Sequence, residues 1–225
     1  MKQAGGSAEQ KRRAGEAAVA EEVTEGAVVG LGTGSTVAHA IRALGAEASD
    51  VSGVATSFES RRRAVDAGVT VTSLEAASVD VAIDGADQVA DGVLVKGGGA
   101  AHTREKYVAA SADRFVVVAD PSKESDVVDV PVPVAVVPDA WPVVVDRVEA
   151  LGGTATLRDA ERKDGPVVTD TGSLVVDCDF GAIETPEAVA ASLSAVPGVV
   201  EHGLFVGMAD AVYVGTDDGV RVRDP

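Results

Sequence analysis

Short, valine-rich runs that each break into a polar or glycine-bearing loop most narrow what this chain can fold into. Residues 27–31 lead into Gly32-Thr33-Gly34-Ser35-Thr36, and a helical stretch over 37–44 then meets Gly45. Residues 51–55 lead into Thr56-Ser57, and 79–83 into Asp84-Gly85-Ala86-Asp87. Residues 92–95 lead into Lys96-Gly97-Gly98-Gly99, and 114–119 into Asp120-Pro121-Ser122-Lys123. Runs this short and this rich in β-branched residues suit strands buried on both faces, as in a parallel sheet. Their alternation with helical stretches implies an α/β fold with a largely parallel sheet, Rossmann-like in layout. Open sheets of this kind bind ligands beyond the carboxyl ends of their strands. One crevice is therefore expected to collect Thr33 to Thr36, Thr56, Ser57, Asp84, Asp87, Lys96 and Lys123.

Several helix boundaries are written in capping chemistry. Ser7-Ala8-Glu9-Gln10 has the form of a capping box opening a helix to about Thr24, with Lys11 on its first turn. Thr56-Ser57-Phe58-Glu59 has the same form and opens a helix through Ala67, whose Arg61, Arg62 and Arg63 make a solvated face. Residues 69–74 read as a further strand. Helical character after Gly99 continues to about Ala112.

The pattern changes near Asp129. Residues 130–137 carry Pro131 and Pro133, which suits a strand with one exposed edge. A helix follows over 138–151, with Trp141 as a packing anchor, and then a strand over 154–160. Residues 167–169 and 174–179 flank the hairpin-type turn Asp170-Thr171-Gly172-Ser173. Thr185-Pro186 opens another helix, and 199–205 read as one strand. The order β-α-β-β-α-β suggests a smaller, ferredoxin-like α+β domain. The expected division is residues 1–129 with 206–225 as the catalytic domain and 130–205 as the small domain, suited to oligomerisation. Residues 209–214 and 219–222 form a terminal strand pair that returns to the first domain.

The loops differ in chemistry. Three consecutive glycines place bare amides at a strand's end, and such amides bind oxyanions. Lys96 adds a cation at the entry of that loop, and Glu105 lies nine positions on, early in the following helix. A cation, amides and a carboxylate can move a proton beside a carbonyl and hold the resulting oxyanion. Thr33, Ser35 and Thr36 offer hydroxyls beside free amides, which suits one phosphate. Gly30-x-Gly32-x-Gly34 is a poor dinucleotide fingerprint, because its third glycine comes too early and no acidic residue follows at the usual distance. Asp84 and Asp87 can bind sugar hydroxyls, assist ring opening or hold a metal.

Charge removes other classes. Thirty-six acidic residues against 19 basic leave a formal net charge of −17, which repels nucleic acid. Lysines number only six, at positions 2, 11, 96, 106, 123 and 163. An acidic, lysine-poor surface suits concentrated salt, where screening removes self-repulsion. No apolar run has the length of a membrane span, the N-terminus lacks a signal-peptide core, and a cytoplasmic location is expected. The single cysteine, Cys178, has an alternating, strand-like setting. His39, His102 and His202 lack metal-ligand spacing to one another.

Taken together, Gly30-Leu31-Gly32-Thr33-Gly34-Ser35-Thr36, Asp84-Gly85-Ala86-Asp87, Val95-Lys96-Gly97-Gly98-Gly99-Ala100-Ala101, Thr103-Arg104-Glu105-Lys106 and Ala119-Asp120-Pro121-Ser122-Lys123 resemble the motifs of A-type ribose-5-phosphate isomerases. So do Pro197-Gly198-Val199-Val200, Gly203-Leu204-Phe205 and Gly215-Thr216-Asp217-Asp218-Gly219-Val220, so the likeness covers nearly the whole chain. The resemblance implies an aldose–ketose isomerase acting on ribose 5-phosphate and ribulose 5-phosphate in the pentose phosphate pathway, without metal or cofactor. It implies that Glu105 shuttles the proton between C1 and C2, with Lys96, Asp84 and Asp87 as further catalytic groups. The substrate-contacting residues it implies are Lys11, Thr33, Gly34, Ser35, Thr36, Asp84, Gly85, Ala86, Asp87, Lys96, Gly97, Gly98, Gly99 and Lys123. A sugar phosphate is the expected partner, together with a second copy or three further copies of the chain, and neither nucleic acid nor membrane. Departures from the family pattern are His102 where an apolar residue is usual, Gln88 where an acid is commoner, and Pro121.

Two other classes would use the same loops. A sugar-phosphate-sensing module needs no base at position 105. An acyl- or coenzyme-A transferase would use a glutamate as nucleophile and leave a covalent adduct on it.

Overall fold

The computed structural model describes residues 6–47 and 50–223. In chain order its elements are α1 (Ala8–Glu22), β1 (Val28–Leu31), α2 (Val37–Glu47), β2 (Ser52–Ala55), α3 (Phe58–Asp66), β3 (Thr70–Thr72), β4 (Val79–Asp84), β5 (Gln88–Ala90) and β6 (Val93–Val95). There follow α4 (His102–Ser111), β7 (Ala112–Ala119), β8 (Val132–Val136), α5 (Trp141–Ala150), β9 (Thr154–Leu157), β10 (Leu174–Asp179), α6 (Pro186–Ser194), β11 (Val199–His202), β12 (Leu204–Val206), β13 (Ala211–Gly215) and β14 (Val220–Arg223). The chain forms two compact units. The first holds the chain up to Ala86, Arg104–Glu124, and Gly207 onward; the second holds Asp87–Thr103 and Ser125–Val206.

The first unit is built on a seven-stranded sheet in the order β14-β13-β7-β4-β1-β2-β3. All its pairings are parallel except β13 with β14, the antiparallel edge. β1 and β4 are neighbours although two strands separate them in sequence, so the strand order reverses there. The crevice of a doubly wound sheet opens at that point. A core of mainly Val and Ala, with Leu31, Ile41, Leu44 and Ile83, fills the space between sheet and helices. Small side chains let the layers approach closely. A Cβ on Gly15 of α1 would stand 2.7 Å from the Ala40 amide nitrogen of α2.

The second unit contains a four-stranded antiparallel sheet, β11-β8-β10-β9, and a three-stranded one, β12-β6-β5. β8, α5, β9, β10, α6 and β11 follow the β-α-β-β-α-β order of the ferredoxin-like fold. Its core is again valine-rich, with Ile183, Leu193 and Leu204.

The Ser7 capping box is present with both of its reciprocal bonds. Other local readings are corrected. Gly45 does not stop α2, which continues to Glu47. A Cβ at Gly45 would lie 2.1 Å from the Ala67 carbonyl oxygen. The glycine therefore permits close packing against the end of α3, at a helix-propensity cost of about 1 kcal/mol. The N-cap of α3 is Ser57, not Thr56, and its reciprocal partner is Ser60, not Glu59. β8 is a central strand, paired on both sides despite its proline. Pro133 is tolerated because Gly203, which donates its amide to the Pro133 carbonyl, has its own carbonyl satisfied by the Lys96 amide and so loses nothing to the missing proline N–H, and its missing side chain leaves room for the proline ring. Residues 199–205 form two strands in different sheets, broken at Gly203. Residues 88–90, not read as a strand, pair with β6 in a hairpin. That hairpin joins β12, and this is why residues 87–103 group with the second unit instead of the first.

Candidate active site

Three strand-end loops of the first unit carry expected site residues. At the end of β1, Thr33 donates its amide to Asp84 Oδ1 at 3.0 Å. The same oxygen accepts from the Gly85 amide at 2.7 Å. Asp84 is only 3% exposed, so its carboxylate ties the loops after β1 and β4 together where the strand order reverses. Gly32 makes this possible, since a Cβ there would stand 2.0 Å from Asp84 Oδ1. The Thr33 hydroxyl lies 3.0 Å from Thr56 Oγ1 and 2.8 Å from Ser57 Oγ. Thr56 in turn donates to the Leu31 carbonyl. Gly34 and Ser35 are exposed at the start of α2, and Thr36 is buried. A helix start with exposed amides and hydroxyls is a ready anion site.

At the end of β7, Asp120 is fully buried. It accepts from the Gly6 amide at 2.9 Å and from the amide and hydroxyl of Ser122. Lys11 Nζ lies 3.9 Å from its other oxygen. Burial pushes the Asp120 carboxyl up, but the Ser122 hydroxyl, the two amides and the Lys11 charge outweigh it and hold the group below its usual range. The Lys123 amide donates to the Asp120 carbonyl. One carboxylate thus brings Lys11, from α1, to the loop that carries Lys123. Sequence reasoning placed Asp120 in the motif without giving it this task.

Glu105 stands in the first turn of α4 and is 4% exposed. Its neighbour Arg104 donates to the Ala55 carbonyl at 3.1 Å, which ties the start of α4 to the end of β2.

The second unit holds the glycine loop. Lys96, 2% exposed, follows β6. Its amide donates to Gly203 O at 2.8 Å. Its ammonium lies 5.6 Å from the centroid of the buried Phe205 ring, within reach of a cation–π contact. Gly97 has φ +108, and a Cβ there would stand 2.6 Å from His102 Nδ1. Asp87 accepts from the Gly98 amide at 2.7 Å. The fully buried His102 accepts from the Ala135 amide through Nε2 at 3.1 Å, so it packs beneath the loop and anchors it to β8. Arg158, just after β9, donates to the carbonyls of Gly97 and Gly98 at 2.9 and 3.3 Å. Sequence reasoning missed Arg158. Its only local signal is an arginine at the end of an alternating strand, and its target lies 61 residues away.

The structure divides the expected residues between the units. Lys11, Thr33, Gly34, Ser35, Thr36, Asp84, Gly85, Ala86, Glu105 and Lys123 belong to the first; Asp87, Lys96, Gly97, Gly98 and Gly99 belong to the second. The chain crosses between units inside two of the motifs, after Ala86 and after Thr103. Among the described residues, no group of three or more His, Cys, Asp or Glu is arranged to hold a metal ion. No helix among them is long and apolar enough to cross a membrane. Cys178 is buried, and burial pushes its thiol up to about 12, which removes it as a nucleophile at neutral pH.

Residues 52–219 match the family model described as ribose 5-phosphate isomerase A (phosphoriboisomerase A). The chain is 63% identical to the ribose-5-phosphate isomerase A of Natronomonas pharaonis over 99% of its length and all of that protein's. A solved D-ribose-5-phosphate isomerase in complex with phospho-erythronic acid superposes with a TM-score of 0.93 at 38% identity, covering 96% of this chain and 98% of that one. Ribose 5-phosphate isomerase A from Methanocaldococcus jannaschii superposes at 0.91 with 40% identity, over 96% and 98% of the two chains.

Proposed function

The chain belongs to the ribose 5-phosphate isomerase A family, and from that premise we propose how its residues interconvert D-ribose 5-phosphate and D-ribulose 5-phosphate. Glu105 removes the C2 proton of the open-chain aldose. The C2–H electron pair forms a C1=C2 double bond and the C1=O π pair moves onto O1, giving an enediolate. Glu105 then returns the proton to C1 while the O2 proton passes to O1, so that C2 becomes the ketone. Lys96 and the amides of the glycine loop stabilise the oxyanion, and Asp84 and Asp87 bind hydroxyls and assist ring opening. Ser35, Thr36, Lys11 and Lys123 hold the phosphate. Binding energy from a phosphate remote from C1 and C2 positions the reacting carbons.

The observation that carries this reading is the burial of both Lys96 and Glu105, at 2% and 4% exposure, on either side of one glycine turn. Burying ionisable groups is costly, and sites that move protons are where such groups accumulate. Support also comes from the ligand of the solved relative. Phospho-erythronic acid carries a phosphate at one end and a planar carboxylate at the other, the charge pattern of a phosphorylated enediolate. The sensing-module alternative is not favoured, because it gives the buried Glu105 no task.

The acidic, lysine-poor composition supports work in concentrated salt, in keeping with the halophilic relatives. A cytoplasmic homodimer or homotetramer is the assembly we propose. Val137, Trp141, Val143 and Leu151, exposed apolar residues of the second unit, support it, and light scattering in high salt checks it. The function is tested by ribose 5-phosphate conversion in high salt with EDTA, for the wild type and Glu105→Gln. Turnover by the wild type and a loss of about 10³-fold in a folded mutant that still binds substrate are expected. Equal turnover by both would move the base elsewhere, and binding without turnover by either would restore the sensor.

A further inference from the structure

The glycine turn of the second unit has few contacts of its own. Inside it, the Ala100 amide closes onto Gly97 O at 2.9 Å. Two polar side chains then grip it from outside. Asp87 accepts from the Gly98 amide, and Arg158 Nη1 reaches the carbonyls of Gly97 and Gly98. The far edge of the Arg158 guanidinium is forked onto Asp177 of β10, Nε to Oδ2 at 2.8 Å and Nη2 to Oδ1. A bidentate pair fixes the plane of the guanidinium, so Arg158 offers Nη1 in one set direction. Asp177 lies in the ladder opposite Thr156 of β9, and the clamp therefore stands on two paired strands. Arg158 is 18% exposed at its side chain.

Each carbonyl that Arg158 touches shares a peptide unit with the next amide. Gly97 C=O is joined to Gly98 N–H, and Gly98 C=O to Gly99 N–H. A cation on a carbonyl polarises the whole unit and makes its N–H a stronger donor. The Gly98 amide is already given to Asp87. The Gly99 amide is the one in which this polarisation becomes available to a developing oxyanion.

We propose that Arg158, oriented by Asp177, is a positioning residue for the isomerisation. It fixes the Gly97–Gly99 turn and strengthens its amides toward the enediolate, without touching substrate itself. This rests on the reading that the glycine loop stabilises that oxyanion. An interaction that strengthens as charge develops acts on kcat more than on KM.

The test uses the full chain in high salt, with the wild type and Glu105→Gln as references. Arg158→Ala is expected to lower kcat by about 10- to 100-fold, with KM within about threefold and a cooperative melting transition that is retained, if lowered. Guanidinium chloride at low millimolar concentration should restore part of kcat in Arg158→Ala, and urea at the same concentration should not. Arg158→Lys should recover less than half of the loss, because an ammonium cannot grip Asp177 and the carbonyls in one plane. If Arg158→Ala fails to fold, Asp177→Asn, which keeps the shape and releases the guanidinium, is expected to lower kcat several-fold at unchanged KM. Unchanged kcat in the folded variant, or a loss confined to KM, overturns the proposal while the wild type remains active and Glu105→Gln inactive. An inactive wild type overturns the isomerase reading instead.

Discussion

The loop after β1 and the loop after β6 look alike in sequence, each a strand running into glycines and then a helix, yet they are held in different ways. Gly32 to Thr36 is gripped from below by one buried carboxylate and a cluster of hydroxyls. All of these belong to strand ends of one sheet. Gly97 to Gly99 is gripped by an acid on its amide side and an arginine on its carbonyl side, with Gly98 and Gly99 exposed. The first arrangement leaves amides and hydroxyls at a helix start, which suits an anion of fixed charge such as phosphate. The second polarises its amides, which suits charge that appears only during reaction. A glycine motif therefore states where a backbone must be bare, and its surroundings decide what the bare backbone is for.

Substitutions at the two loops can break this comparison. The largest effect is expected at Gly32→Ala, where the new methyl would collide with the buried Asp84. Overpacking there should cost about 1–3 kcal/mol in denaturant unfolding at high salt and lose most activity with it. A neutral result would mean that Asp84 is free to move. Gly98→Ala makes a similar contact, 2.6 Å from Asp87 Oδ1, but on an exposed turn where Asp87 can swing aside. Stability should change by about 0.5 kcal/mol or less, while kcat falls about tenfold from the disturbed amides. An equal stability loss at both sites would erase the distinction between the loops.

Thr33→Val sharpens the account of the first loop. It removes the hydroxyl shared with Thr56 and Ser57, at a cost of about 1 kcal/mol. If the loop holds the phosphate, as proposed, KM should rise more than kcat falls; the reverse pattern in steady-state kinetics would assign it to the chemistry.

Asp120 extends the comparison to a third strand end. Its carboxyl is held below the ordinary value, so the unfolded chain binds the proton more readily than the folded one. Its contribution to stability is full above the unfolded value near 3.8 and is lost as pH falls through the lower folded value. Melting curves from pH 5 down to pH 2 should show a smaller acid-induced decline for Asp120→Asn than for the wild type. Parallel declines would place the acid sensitivity elsewhere.

Much of the fold was legible because its causes are local. The Ser7 capping box, Pro186 at a helix start and the valine runs act within a few residues, and each marks an element found in the structure. Where local signals misled, a distant neighbour had intervened. Gly45 looked like a helix stop until Ala67 stood against it, and Pro133 looked like an edge until Gly203 made room for its ring. Among the proposed site residues, Lys96, Glu105 and the glycines announced themselves by type and spacing, whereas the joining of Lys11 to Asp120 did not.

By itself the sequence determined which backbone segments are strands ending in bare, polar loops, and which ionisable residues those loops carry. Propensity, capping and periodicity are set by near neighbours along the chain. The tertiary structure alone decided what each loop leans on: Asp84 beneath Gly32, Asp120 beside Lys11, Arg158 across Gly97 and Gly98. Those partners lie 51 to 109 positions apart for the first loops, by the Thr33–Asp84 bond and the Lys11–Asp120 pair, and about 60 for the last. No local pattern encodes a contact over such a distance; strand pairing and layer packing bring its two ends together.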